Sequence, residues 1–130
     1  MTAVDTNILV RIVVNDDPAQ SARAAAFLRQ QDRIFVAKTV LLEIEWVLRN
    51  GYGLRRHEVL AILQNILGMG NAVVEDEAEV AQAMRWYERG MDFADSMHIA
   101  AAGPDCSFAT FDAALRKVGQ RLKAGEFIDV

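Results

Sequence analysis

Asp5 in "VDTN", Glu43 in "TVLLEIEWVL", Asp95 in "FADSMHIAAA" and Asp112 in "ATFDAALRK" are four acids spread along the chain, each beside a strand-forming or helix-forming run. Glu43 stands among Leu41, Leu42, Ile44 and Trp46, and Asp5 lies just ahead of the apolar run "ILVRIVV". A buried, unpaired carboxylate is expensive, so an acid in such company is expected to be hydrogen-bonded, paired or holding a cation. Clustered carboxylates repel one another and bind a hard divalent ion through oxygen. Mg2+ keeps several of its waters and takes a few carboxylates together with substrate phosphate. Such an ion activates water and neutralises charge at a phosphoryl centre, so phosphodiester hydrolysis suits these residue types.

Each acid also has a structural reading. Asp92 and Asp95 have the acid-x-x-acid spacing of a capped helix start, and Asp112 is placed to cap "AALRKVG". Glu43 reads equally as a solvated helix residue like Glu45. Other chemistries lack their residues: there is no serine or cysteine nucleophile motif, no P-loop, no full Gly-rich dinucleotide fingerprint and no zinc-type pairing of histidine with cysteine. His57, beside Arg55 and Arg56, reads as solvated, and His98 as a core or supporting residue. Cys106 in "CSFAT" is expected as a small buried hydrophobe.

The elements that would position the acids follow from periodicity and caps. "NDDPAQSARAAAFLRQQ" predicts a helix from Pro18 to Gln31, capped by Asp16 or Asp17 with Pro18 at the first position. "RIFVA" reads as a strand, and "TVLLEIEWVLRNGYG" as a helix closed by Asn50 and Gly51. "LRRHEVLAILQNILG" is a further helix with Leu60, Leu63 and Leu67 on one face and Gly68 at its end. "AVVE", "CSFAT" and "EFIDV" read as strands; "DEAEVAQAMRWYERG", "DFADSMHIAAAG" and "FDAALRKVG" read as helices. This alternation predicts an α/β fold, a three-layer α/β/α sandwich with a mostly parallel central sheet, because parallel neighbours need helical crossovers. Ligands in such sheets bind outside the carboxyl ends of the strands, where Asp5 and Asp112 stand, so the acids are expected to meet along one edge.

A chain of 130 residues, 52% hydrophobic and 25% charged, suits a single domain over 1–130, with no repeat or linker. No apolar run reaches the roughly 20 residues that span a bilayer, and no signal peptide is visible. A lone cysteine leaves no internal disulfide, and a cytoplasmic setting is expected. The net charge of −4 argues against general nucleic-acid binding, yet a bound cation would reverse the field locally, and the scattered arginines Arg11, Arg23, Arg29, Arg49, Arg55 and Arg56 could still meet phosphates.

Taken together, "VDTN", the lone Glu43, "FADSMHIAAA" and "ATFDAALRK" resemble the four acidic motifs of PIN-domain ribonucleases, most closely the VapC-type toxins of toxin–antitoxin pairs, in order and spacing over essentially the whole chain. The resemblance implies Mg2+- or Mn2+-dependent cleavage of RNA, a homodimer, and inhibition by a small antitoxin protein. It assigns the catalytic and metal-holding acids to Asp5, Glu43, Asp95 and Asp112, and supporting roles to Asn7 and Thr110. Asp92 would either join this site or merely cap the helix. A housekeeping PIN-type RNA-processing nuclease and a non-catalytic PIN-like module are the alternatives within the resemblance. A haloacid-dehalogenase-like phosphatase needs a second aspartate where Asn7 stands, and a receiver-like module needs an acidic pair at the first strand. The apolar residues of "RRHEVLAILQNILGMG" and "VLLEIEWVL" are expected to offer surface for self-association.

Overall fold

The computed structural model describes residues 1–130, which fold as two compact units, 1–75 and 76–130. In the first unit, strands β1 (Thr2–Ala3), β2 (Ile34–Val36) and β3 (Ala72–Val74) form a parallel sheet in the order β1-β2-β3. Parallel neighbours cannot be joined by tight turns. Helices α1 (Thr6–Val13) and α2 (Pro18–Gln30) make the first crossover; α3 (Lys38–Trp46), a π-helical turn (Val47–Gly51) and α4 (Arg56–Leu67) make the second. The core of this unit gathers Ile34 and Val36 of the middle strand with Leu9, Leu41, Ile44, Leu48, Val59 and Leu63, all almost fully buried.

Local chemistry sets the boundaries. Asp17 caps α2, its side chain accepting from the Gln20 amide at 3.1 Å, while Asp16 turns away to pair with Arg11 at 2.9 Å and to accept from the Tyr52 hydroxyl at 3.0 Å. That hydroxyl first, and the Arg11 guanidinium with it, hold the Asp16 carboxyl below the usual carboxylate range. Ala37 has no side chain with which to cap α3, and Glu75 at the end of β3 supplies the acceptor instead, 2.9 Å from the Lys38 amide. Asn71 donates to the carbonyls of Leu28 and Gln31, both at 3.0 Å, and so fastens the end of α2 to the approach of β3.

The second unit contains α5 (Glu77–Glu88), α6 (Phe93–Ala102), β4 (Phe108–Thr110), α7 (Ala113–Arg121) and β5 (Phe127–Asp129), with β4 and β5 paired in parallel across α7. Met91, Ile99, Leu115 and Ala124 form its buried cluster, surrounded by Trp86, Phe108, Val118, Leu122 and Phe127. Tyr87 and Phe93 meet edge to face at 5.1 Å and join the end of α5 to the start of α6.

The α/β class and the parallel strands are as the sequence predicts, and every expected element is present. Several details differ. The helix expected to run from Thr39 to Gly51 changes into a π-helical turn at Val47. Leu67 is only half-buried, and Ile66 takes the place expected of it on the inner face of α4, beside Leu60 and Leu63. Since that face is spent on the core of its own unit, the apolar surface expected for self-association is reduced on α4, whereas Trp46 of α3 stays 61% exposed. Cys106 is exposed because it lies in the turn before β4, outside the strand.

Gly119 gives a direct test of the packing. Replacing a mid-helix glycine by alanine ordinarily gains about 0.5–1 kcal/mol. A Cβ at Gly119, however, would fall within the Phe127 ring. Gly119→Ala is therefore expected to lose about 1–3 kcal/mol in urea unfolding, the cost of overpacking a core. Adding Phe127→Leu should recover part of it. A Gly119→Ala protein as stable as the parent would contradict this close approach.

Candidate active site

Asp5 and Asp112 stand where β1 and β4 give way to helices, Asp95 lies in the first turn of α6, just after the turn that follows α5, and Glu43 lies within α3; three of the helix starts are built alike. Asp5 is the N-cap of α1, its Oδ1 accepting from the Thr6 amide at 2.8 Å. Asp92 caps α6 through Oδ2, 3.1 Å from the Asp95 amide, and Asp112 caps α7 through Oδ1, 3.0 Å from the Leu115 amide. The first amides of a helix have no partners within it, so each cap satisfies a donor and is worth about 0.5–2 kcal/mol. Each cap uses one carboxylate oxygen and leaves the other for a ligand. The positive end of the helix dipole also favours the negative charge there.

In the first unit the site consists of Asp5, Thr6 and Glu43. Glu43 projects from α3 and accepts a hydrogen bond at Oε1 from the Thr6 hydroxyl, which is itself buried. Residues adjacent in "VDTN" thus hold one acid as a cap and orient a second acid from another helix. Asn7 is exposed on α1. Both Asp5 and Glu43 are exposed in spite of their apolar neighbours, because Val4, Leu41 and Ile44 turn inward while the acids, like Trp46, stay outside. The expectation for Glu45 reverses: it is 4% exposed, on the inner side of α3, and bonds with Arg49 one turn on.

In the second unit Asp92, Asp95 and Asp112 act on one another. Burial raises the Asp95 carboxyl above its ordinary value, and the negative charges of Asp92 and Asp112 raise it further, against an opposing pull from His98. His98 is exposed, so it belongs to the charged surroundings of Asp95 and not to the core. Ser96 is fully buried and its hydroxyl donates to the Asp92 carbonyl at 2.8 Å, fixing the turn that carries both aspartates. Thr110 Oγ1 accepts from the Asp112 amide at 3.0 Å, and the Thr110 carbonyl accepts from Arg116, which also pairs with Asp129 at 3.3 Å. Sequence reasoning passed over Thr6 and Ser96. Both lie beside a motif acid and both are small hydroxyl residues at a helix start, which was the available signal.

The donors are carboxylate oxygens throughout, the set that a hard divalent ion prefers. Burial first, and the charges of Asp92 and Asp112 with it, lift the Asp95 carboxyl, and the repulsive part is what such an ion would relieve. No three His, Cys, Asp or Glu side chains are gathered as a complete metal cage. Open sites that rely on water and substrate oxygens to complete their coordination suit Mg2+ in particular.

One protein-family profile, described as PIN domain, matches residues 2–120 and so takes in every one of these acids. Comparison with curated proteins and with solved structures yields no match.

The raised Asp95 carboxyl has a consequence for stability without metal. Its folded form holds a proton more readily than its unfolded form, so this group costs stability as pH rises from the ordinary aspartate range through the raised one. Asp95→Asn is therefore expected to be more stable than the parent at neutral pH in EDTA, with the difference shrinking below pH ~4. Thermal unfolding at the two pH values decides it. An Asn variant that is less stable at neutral pH would contradict the like-charge crowding.

Proposed function

The chain belongs to the PIN domain family, and we propose that it is a Mg2+- or Mn2+-dependent endoribonuclease, the toxin of a toxin–antitoxin pair. PIN domains are nucleases in general. The observation that carries the reading is the repeated placement of acids at helix starts: Asp5, Asp92 and Asp112 as caps, Asp95 in the first turn, and Glu43 oriented by Thr6. The order of the four motifs over nearly the whole chain supports a PIN-type nuclease, and the toxin role rests on the resemblance to VapC-type toxins, with a housekeeping RNA-processing nuclease as the alternative. The same reading makes the protein cytoplasmic, homodimeric and bound by a cognate antitoxin. No helix is long and apolar enough to cross a membrane.

In this reading Asp5, Glu43, Asp95 and Asp112 hold the ion. When bound, it supplies Lewis-acid stabilisation of the phosphoryl oxygens and a water of lowered pKa. The chain's own contribution is positional. Capping hydrogen bonds fix Asp5 and Asp112 against their helices. Thr6 keeps the Glu43 carboxylate turned toward Asp5's helix and leaves its second oxygen for the ion. Ser96 and Asp92 hold the turn that presents Asp95, and Thr110 with Asn7 offers polar groups to the surrounding water. Asp92 serves as a cap, a task asparagine performs about as well as aspartate.

The experiment is RNA cleavage by purified protein in EDTA and after adding back Mg2+ or Mn2+. Cleavage should vanish with chelation and return with either ion. Asp92→Asn should keep most of the activity, and Asp95→Asn should fold and lose nearly all of it. Cleavage that persists after rigorous chelation would overturn the mechanism, and an inactive Asp92→Asn beside an active Asp95→Asn would move the third acid to residue 92. Growth arrest on expression, relieved by a protein encoded in the neighbouring reading frame, tests the toxin assignment separately.

A further inference from the structure

Beyond the acids, the first unit contains an open groove of about 760 Å³ between α1 and α2. Asn7 and Arg11 line it from α1, one helical turn apart, and Gln20, Arg23, Phe27 and Gln30 line it from α2 at spacings of three and four residues, a single face of that helix. No acidic residue lines the groove, although the chain as a whole carries a net charge of −4. Arg11 is held in place by its ion pair with Asp16. Arg23 has no ion pair and is exposed, so its full charge faces the groove. Phe27 is 39% exposed, a large aromatic left on the surface of a helix whose buried positions are Ala24 and Leu28.

We propose that this groove holds a single-stranded segment of the RNA substrate, with a phosphate on Arg23 and an unstacked base on Phe27. The proposal rests on the ribonuclease reading and extends it from the acids to the path of the strand. Two observations favour RNA over an acidic peptide. The polar lining consists of three amide side chains, each carrying both donor and acceptor, as the edges of nucleobases require. The apolar lining amounts to Ile8, Phe27 and two alanines, too little for the hydrophobic stripe of a docked amphipathic helix. An arginine beside an aromatic platform is the usual combination for an unpaired strand. The groove also begins at Asn7, two residues beyond Asp5, so a strand lying in it would reach the cap of α1.

The test is fluorescence anisotropy with a short, labelled, unstructured RNA, using Ca2+ in place of Mg2+ so that the strand is held uncut. Arg23→Glu is expected to weaken binding roughly ten-fold or more and Arg23→Ala to lower the slope of affinity against salt by about one. Phe27→Ala should weaken binding roughly ten-fold, and Phe27→Trp should restore it, since any large aromatic face will stack. Both positions are on the helix surface, so thermal unfolding and its response to Mg2+ should stay as in the parent. If the parent neither binds nor cleaves RNA, the ribonuclease reading falls and the groove assignment with it. If the parent binds and cleaves RNA while Arg23→Glu and Phe27→Ala bind it equally well, the groove assignment alone is overturned. The assignment is likewise overturned if the variants keep RNA affinity but lose affinity for a glutamate-rich helical peptide that the parent binds, since the groove would then belong to a protein partner.

Discussion

The first amides of each helix must find acceptors, and this chain answers that constraint mostly with carboxylates. Asp5, Asp17, Asp92 and Asp112 cap their own helices, and Glu75 reaches from the end of a strand to the amide of Lys38. Serine, threonine or asparagine would cap comparably well. Using acids collects negative charge at the helix starts, of which those of α1 and α7 lie at strand exits, where ligands of parallel α/β sheets bind, and the positive ends of the helix dipoles offset part of its cost. The same bonds that begin α1, α6 and α7 therefore position three of the acids of the proposed site.

Not all the charge is offset in this way. The Asp95 carboxyl, half withdrawn from water and close to Asp92 and Asp112, is driven above its ordinary value. A structure selected for stability alone would have relieved that crowding with a single amide. The Thr6 side chain, on a buried residue, is spent on Glu43 and the buried Ser96 hydroxyl on the Asp92 carbonyl, so these internal polar bonds orient acids. Buried hydroxyls without partners would be costly, so these two are satisfied by the groups they fix.

Much of this was legible in the sequence. Pro18 after two aspartates, glycine after the run ending at Leu67 and the alternation of strand with helix predict the elements from α2 onward closely, because caps and periodicity are local signals, whereas the apolar run "ILVRIVV" gave no reading of α1 as a helix. The PIN resemblance rested on four short motifs, and the family profile over residues 2–120 agrees with it. Burial was harder to read. Apolar neighbours suggested buried surroundings for Asp5 and Glu43 and a core position for Cys106, yet a helix exposes one residue and hides the next. Glu43 faces out where Glu45, two positions on, faces in, a difference set by the direction of α3 against its neighbours and not by composition. Thr6, Ser96 and the cap of α3 by Glu75 were not legible at all, since each depends on a tertiary contact or on which side chain happens to fill a vacant acceptor position. The α1–α2 groove belongs to the same class: Arg23 and Phe27 are unremarkable in sequence and become a pair only when a second helix lies alongside.

The proposed function assigns metal binding to Asp5, Glu43, Asp95 and Asp112, and Mn2+ titration followed by amide NMR tests that assignment most directly. At the lowest ratios of Mn2+ to protein, paramagnetic broadening is expected at the amides around Asp5, Glu43, Asp95 and Asp112 together, and Mg2+ should reverse it by competition. Broadening that starts instead at scattered surface acids such as Glu77 and Glu88, or that spares the helix starts at Thr6 and Asp95, would contradict the account.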